Sequence, residues 1–393
     1  MREQILAAAR AIHPAQVELR RDLHRHPEVH FGTHRTAGIV AERLQSFGLE
    51  VRTGVGKTGV IGILRGRGPG RVVGLRADMD ALAMQDRKDV PYKSQNEGAC
   101  HACGHDGHTT MVLGAAQILS GLKEQFDGEI RFLFQPAEEN PSGGALAMIA
   151  DGALEGLDEI FGLHLWPELP VGTVTAHAGP TMAASDYGYV TITGKGGHAA
   201  MPHLCTDSIA VAAQVIVGLQ QVVSRQIDPL DSAVLTIGTI KGGERPNVVA
   251  HEVEFSMTIR TLSPATRERI PHQIEAILEG VTRAYGATYA VRWVRQSIPT
   301  VNDPLSAESV REAVREYLGG EKLVETAPSM AGEDFGYMLA QVPGCYFKVG
   351  AANAEKGFVY GLHHPLFDFD EEALMVGTSV GVGAILRALA RAR

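Results

Sequence analysis

Apolar residues fall in two rhythms along this chain. As far as about Pro180, short apolar runs over 60–64, 72–75, 130–134 and 160–163 alternate with helical stretches, the pattern of strands buried in a sheet that helices cover. The N-terminal segment MREQILAAARAI continues as an amphipathic helix towards His26, and an apolar run over 373–386 reads as a buried C-terminal helix, too short and Gly-rich to cross a bilayer. Between about Ser185 and Arg295 the rhythm becomes strand (187–193), helix (208–225), strand (233–241), strand (252–261), helix (264–285) and strand (288–294). That βαββαβ order is the ferredoxin-like signature. Turn-rich GPTMAAS and SIPTVNDP flank it, and the first pattern resumes with a helix from Ser306, a strand over 345–349 and the last helix. The expected architecture is α/β: a main domain with a central mixed sheet flanked by helices, in two parts (1–184 and 296–393), and an inserted ferredoxin-like domain (185–295).

Composition narrows the function more than the fold. A chain of 393 residues with net charge -9 and no basic cluster is large enough for two domains and argues against nucleic acid or an anionic membrane as its main partner. Four cysteines make no disulfide framework at this length, and the N-terminus lacks an apolar core of signal-peptide type, so the expected location is the cytoplasm.

The densest chemistry lies in CHACGHDGH, residues Cys100 to His108. Cysteine and histidine are borderline-soft ligands for zinc, cobalt, nickel or manganese, and Cys103 and His105 can reach one ion from an irregular loop. The same stretch is formally a CxxC redox pair, and His108 can equally serve as a helix cap or core histidine. Four further pieces are weaker singly. RADMDAL ends a strand in Asp78 and Asp80, which can be turn formers; FQPAEEN ends one in Glu138 and Glu139, which can be a solvated acidic loop. GLHLWP carries His164, which alone reads as a core residue, and GLHHP carries His363 and His364 in a Gly/Pro-bounded loop. Together, Cys103, His105, a glutamate, His164 and one of His363 or His364 suffice for two divalent ions. Two such ions can polarise a carbonyl while a free carboxylate takes a proton from water, which predicts amide hydrolysis.

The order RADMDAL, HACGHDGHT, FQPAEE, GLHLWP, GGHAAMPH, RPNVV, MAGEDFGYM and LHHP resembles the aminoacylase and carboxypeptidase family of metallohydrolases over nearly the whole chain, closest to its hippurate hydrolase, N-acyl-amino-acid amidohydrolase and auxin-conjugate hydrolase branch. The resemblance implies metal ligands at Cys103, His105, Glu139, His164 and His363, with Cys103 bridging two ions. It makes Glu138 the general base and Asp80 a residue that orients ligands without binding metal. Asp78 stands where wider relatives have a ligating histidine, and Cys103 where they have a bridging aspartate. The inserted domain corresponds to a lid that also forms a dimer, or a dimer of dimers. There His198 matches a histidine that reaches the partner subunit's site, Asn247 a substrate contact, and Arg260 a clamp on the substrate carboxylate. The implied reaction is cleavage of N-acyl amino acids to a carboxylic acid and a free amino acid. A dipeptidase or carboxypeptidase differs only in substrate. Readings of other classes are a non-catalytic binding protein and a thiol-redox protein using Cys100 and Cys103.

Overall fold

A seven-stranded mixed sheet centres one compact unit, residues 1–181, 301–327 and 334–393. The computed structural model describes residues 1–140 and 143–392. The chain opens with α1 (Arg2–Arg25), α2 (His34–Ser46), β1 (Glu50–Val55), β2 (Gly59–Arg65), β3 (Val72–Asp78) and α3 (His105–Ser120). It continues through β4 (Glu129–Gln135), α4 (Gly144–Ala150), β5 (Glu159–Pro170), β6 (Val174–Thr175) and β7 (Gly179–Met182). After the second unit come β14 (Thr300–Asn302), α7 (Pro304–Tyr317), α8 (Gly336–Leu339), β15 (Gly344–Ala352) and α9 (Glu372–Leu389).

The strand order is β1-β2-β4-β3-β5-β15-β6. The central strands β4, β3, β5 and β15 are parallel and the outer pairs antiparallel. Side chains alternate across a strand, so each face has its own set. Leu75 and Ala77 of β3, Phe161, Leu163 and Leu165 of β5, and Phe347 and Val349 of β15 enter one apolar core, against which α1, α3, α7 and α9 pack. Arg76, Asp78, His164 and Lys348 take the opposite phase, which gives the other face buried polar groups. The apolar run near the C-terminus lies in α9, whose residues from Ala373 to Ile385 are nearly all buried against this core.

The second unit, residues 182–300 and 328–333, is a ferredoxin-like insertion. It contains β8 (Ala184–Thr193), β9 (Gly197–His198), α5 (Ser208–Gln226), β10 (Ala233–Gly242), β11 (Val248–Val249), β12 (Glu252–Thr261), α6 (Pro264–Tyr285) and β13 (Thr288–Ser297). Four antiparallel strands in the order β10-β12-β8-β13 pack Val190, Phe255, Met257 and Ile259 against Val211, Val215 and Leu219 of α5 and Ile270, Ile274 and Leu278 of α6. The helix starts are signalled locally: Asp207 accepts the N–H groups of Ile209 and Ala210, and Ser263 accepts that of Thr266 ahead of Pro264. Residues 328–333 fall outside the expected insertion of 185–295 yet group with it. Backbone pairing draws them in, the Ala183 N–H donating to Ala331 O at 2.9 Å.

Candidate metal centre

Strands β3, β4 and β5 run parallel, and the segments leaving their carboxyl ends carry most of the candidate site, where open α/β sheets place ligands. β3 delivers Asp78 and, two residues on, Asp80, both fully buried. The turn after β4 carries Glu138 and Glu139. Ala137 before them holds φ at 55°, a conformation costly for a residue with a Cβ. Past this turn the Glu138 N–H donates to Asp80 Oδ1 at 2.9 Å and the Glu139 N–H to Asp80 Oδ2 at 3.2 Å. Asp80 Oδ1 also lies 3.5 Å from His105 Nδ1. One buried carboxylate therefore positions the glutamate pair and an imidazole together.

His164 comes from β5. Its Nδ1–H donates to Leu165 O at 2.6 Å, which leaves the Nε2 lone pair facing Cys103 Sγ at 3.4 Å. Cys103 and His105 flank Gly104, the residue that opens α3 with φ at 88°. A Cβ there would also meet Leu165 Cδ1 at 3.1 Å, so conformation and space both call for glycine. His363 arrives on the loop between β15 and α9, again with positive φ (61°), and its N–H donates to Ala102 O at 2.8 Å. Its Nε2 is 3.1 Å from Glu139 Oε1.

The donor atoms of Cys103, His105 and His164 lie within 4.8 Å of one another, as do those of Cys103, Glu139 and His363, and those of His105, Glu138 and Glu139. Cys103 belongs to two of these sets. Among the described residues, the buried ring nitrogens of His105 make no well-directed hydrogen bond, Asp80 and Asp78 approaching Nδ1 only to 3.5 and 3.7 Å, and Glu139 Oε1, despite its approach to His363, accepts none either. Burial pushes the Cys103 thiol well up, and the nearby Glu139, Glu138 and Asp78 push it further. Burial disfavours the His105 cation, but Asp78, Asp80 and Glu139 outweigh it and raise this imidazole to about 10. A site that withholds charge from a thiol and forces a proton onto an imidazole fits divalent cations, which would take the place of both protons. Thiolate, imidazole and carboxylate donors suit zinc, manganese, cobalt or nickel. Metal affinity should therefore fall by about tenfold for each unit the pH is lowered per proton displaced, and by about a hundredfold per unit when both are displaced. Titrating the metal-free protein with Zn²⁺ at pH 6 and pH 8 checks this; equal affinities would point to other donors.

His108 also lies within ligand distance of Asp78 and His105, but its nitrogens are committed. Nδ1–H donates to Asp78 Oδ1 at 2.6 Å, and Nε2 accepts the Leu165 N–H at 2.9 Å. It holds the strand that bears His164. Sequence reasoning missed the next layer: Arg76 donates to Asp78 Oδ2 at 2.6 Å, Gln135 Oε1 at 2.9 Å and Asp334 Oδ1 at 3.0 Å. Asp334, in the GEDF stretch, is thus a buried anchor for the ends of β3 and β4. The available signal was an arginine inside an otherwise apolar strand. His364 stacks on Tyr360, ring centroids 4.5 Å apart. Cys100 and Cys103 are both free thiols and belong to different side-chain clusters.

In the second unit, β9 and β11 pair His198 with Val248, and the Ala199 N–H donates to Asn247 O, so His198 and Asn247 lie together on one exposed two-stranded ribbon. His198 Nδ1 accepts the Ala200 N–H at 3.1 Å, leaving Nε2 as the tautomeric N–H. Arg260, on β12, is half-buried with its guanidinium carbon 6.0 Å from the Tyr187 ring centroid.

A mixed sheet with a cluster of thiol, imidazole and carboxylate donors past the ends of its parallel strands, plus a ferredoxin-like insertion, is an architecture of metal-dependent hydrolases. Residues 74–387 match the family described as Peptidase family M20/M25/M40, and the chain belongs to it. It is 46% identical over 300 residues to an N-acyl-L-amino acid amidohydrolase of Geobacillus stearothermophilus, covering 75% of this chain and 81% of the relative. It is 38% identical over 364 residues to thermostable carboxypeptidase 2 of Saccharolobus solfataricus, covering 92% of each. Among solved structures, a dinuclear metal-binding peptidase of family M20 from Bacillus subtilis superposes with a TM-score of 0.86 at 34% identity, covering 97% of this chain and 99% of that one.

Proposed function

We propose that this protein hydrolyses the amide bond of N-acyl amino acids, with N-acetyl and N-benzoyl compounds as the substrate class, using two divalent ions. The observation that carries the reading is the arrangement of two donor sets sharing Cys103, with Glu138 beside them. The amidohydrolase relative and the dinuclear structure support it. Cys103, His105, Glu139, His164 and His363 would hold the ions, and Asp80 would orient His105 and the glutamates. Such ions, when bound, would polarise the amide carbonyl and lower the pKa of water so that it gives up its proton near neutral pH. Glu138 takes the proton of the attacking water and returns it to the leaving nitrogen. His198, supplied by a second copy of the chain, donates from Nε2 to the developing oxyanion. Asn247 and Arg260 hold the free carboxylate, which restricts cleavage to a terminal residue.

Arg260 suits the clamp because a guanidinium grips a carboxylate with two parallel bonds, and among the described residues no carboxylate lies within ion-pair distance of it. Arg260→Ala should raise KM for an N-acyl amino acid by about tenfold or more, and leave its C-terminal carboxamide analogue unchanged. Equal effects on both substrates would remove the assignment. A homodimer through the inserted unit is supported by α5, an apolar helix only a third buried that exposes Ile209 and Val217, and by β10, an edge strand. Dipeptidase or carboxypeptidase action is the second reading, favoured by the carboxypeptidase relative.

A further inference from the structure

A second set of buried charges adjoins the donor cluster, and the proposed reaction does not use it. Arg20 of α1 is fully buried, and its guanidinium divides between the first turn of α3 and the segment leading into α9. Nε donates to Asp106 Oδ2 at 3.0 Å, Nη2 to Asp368 Oδ1 at 2.5 Å and Nη1 to Glu371 Oε1 at 3.3 Å. His24, one turn further along α1, donates from Nδ1 to the same Asp106 oxygen at 2.6 Å. Tyr92 donates its hydroxyl to Asp368 Oδ2 at 2.8 Å, and the Arg20 guanidinium carbon lies 4.2 Å from the Phe369 ring centroid. Asp106 directly follows His105, and its Oδ1 takes the Gly107 N–H at 2.9 Å in the first turn of α3. Asp368 stands five residues beyond His363 in the loop that leads to α9.

We infer that Arg20 is a positioning residue of the metal centre: by bridging Asp106 and Asp368 it fixes the Cys103/His105 loop against the His363 loop, and so sets the spacing of the two donor sets that share Cys103. The inference rests on the ligand reading above. The His363 to Ala102 backbone bond links these segments directly, Phe369 packs against Gly107, and Arg20 adds a side-chain bridge beside them. A planar fork with five donors reaches both carboxylates at once; a lysine, with one point of charge, does not.

A third metal site is the competing use of this cluster, since His24, Asp86 and Cys100 also lie within ligand distance of one another. Charge decides against it. Lys88 Nζ already sits 3.1 Å from Asp86 Oδ1 and 3.7 Å from Cys100 Sγ. Burial disfavours the His24 cation, but Asp106 and Asp86 outweigh it and raise the group to about 9. Arg20, Arg21, Lys88 and protonated His24 then balance Asp86, Asp106, Asp368 and Glu371 without a metal.

The test is titration of the metal-free protein with Co²⁺, followed by the thiolate-to-cobalt absorption and by bound metal at equilibrium. The parent should take up two equivalents. Arg20→Lys should weaken at least one of them by about tenfold or more and shift the cobalt band, since partners behind the ligands act on this scale. Arg35→Gln, which loses a surface pairing with Asp22 away from this cluster, should bind as the parent does. Asp368→Asn removes the charge at one end of the bridge while leaving the Arg20–Asp106 bond in place, and carries the same expectation should Arg20→Lys not fold. Parent-like affinities, within twofold, and an unshifted band in the folded variants overturn the inference alone. A parent that binds no Co²⁺ overturns the ligand reading with it, and three equivalents restore the third site.

Discussion

Glu138→Gln is expected to lower kcat by about three orders of magnitude while leaving two metal ions bound, because the substitution keeps the shape of the side chain and removes its proton affinity. The backbone N–H of residue 138 would still donate to Asp80, so the turn set by Ala137 and the place of Glu139 should survive. Steady-state kinetics with metal analysis of the same sample separates loss of the base from loss of the site. A variant that keeps its metal and its turnover would move the base elsewhere. The same variant tests sharing of sites between subunits. Mixed with His198→Ala chains, it should regain part of the activity, since one of the two sites in a heterodimer then has both an intact base and an intact partner histidine. No recovery in verified heterodimers would argue against that histidine acting across the interface.

Cys103→Ala should be as severe by a different route. This sulfur belongs to the set with His105 and His164 and to the set with Glu139 and His363, so under the proposed assignment its loss would remove a donor from both ions. Affinity for both should drop by at least about a hundredfold, and activity with it. The buried thiol has no independent route to negative charge, since burial and the neighbouring carboxylates oppose ionisation. Cys103→Asp should recover part of the binding, because a carboxylate offers two oxygens that reach two ions, with a shift in preference from zinc towards manganese. Measured dissociation constants for both ions check this. Loss of a single ion in Cys103→Ala would show that the sulfur serves only one set.

Much of this was legible in the sequence, for identifiable reasons. Ligand residue types are rare in apolar surroundings, so Cys103, His105, His164 and His363 stand out, and the fold brings them together with Glu138, Glu139 and Asp80. Strands buried on both faces announce themselves as apolar runs, as β2 to β5 do. The inserted unit was readable because its strands and helices carry one buried and one exposed face.

Other features left no periodic signal. α3 is buried on almost every side, so HDGHTTMVLGAAQILS has no polar stripe to mark it as a helix. β1 is a largely exposed edge, and β9 and β11 are two residues each. The positive φ of Ala137 and His363 follows from tertiary bonds to Asp80 and Ala102, which no local propensity encodes. Arg20 reads in sequence as one more cation on an amphipathic helix; only its burial between Asp106 and Asp368 shows otherwise.

Release of free amine from a panel of N-acetyl, N-benzoyl and longer N-acyl amino acids and dipeptides, by chelated protein refilled in turn with zinc, manganese, cobalt or nickel, tests the proposed reaction most directly. The account predicts no cleavage by the chelated protein, and metal-restored cleavage of at least one N-acyl amino acid in preference to dipeptides. Cleavage of dipeptides alone, or none with any metal in a folded protein that binds two ions, would contradict it.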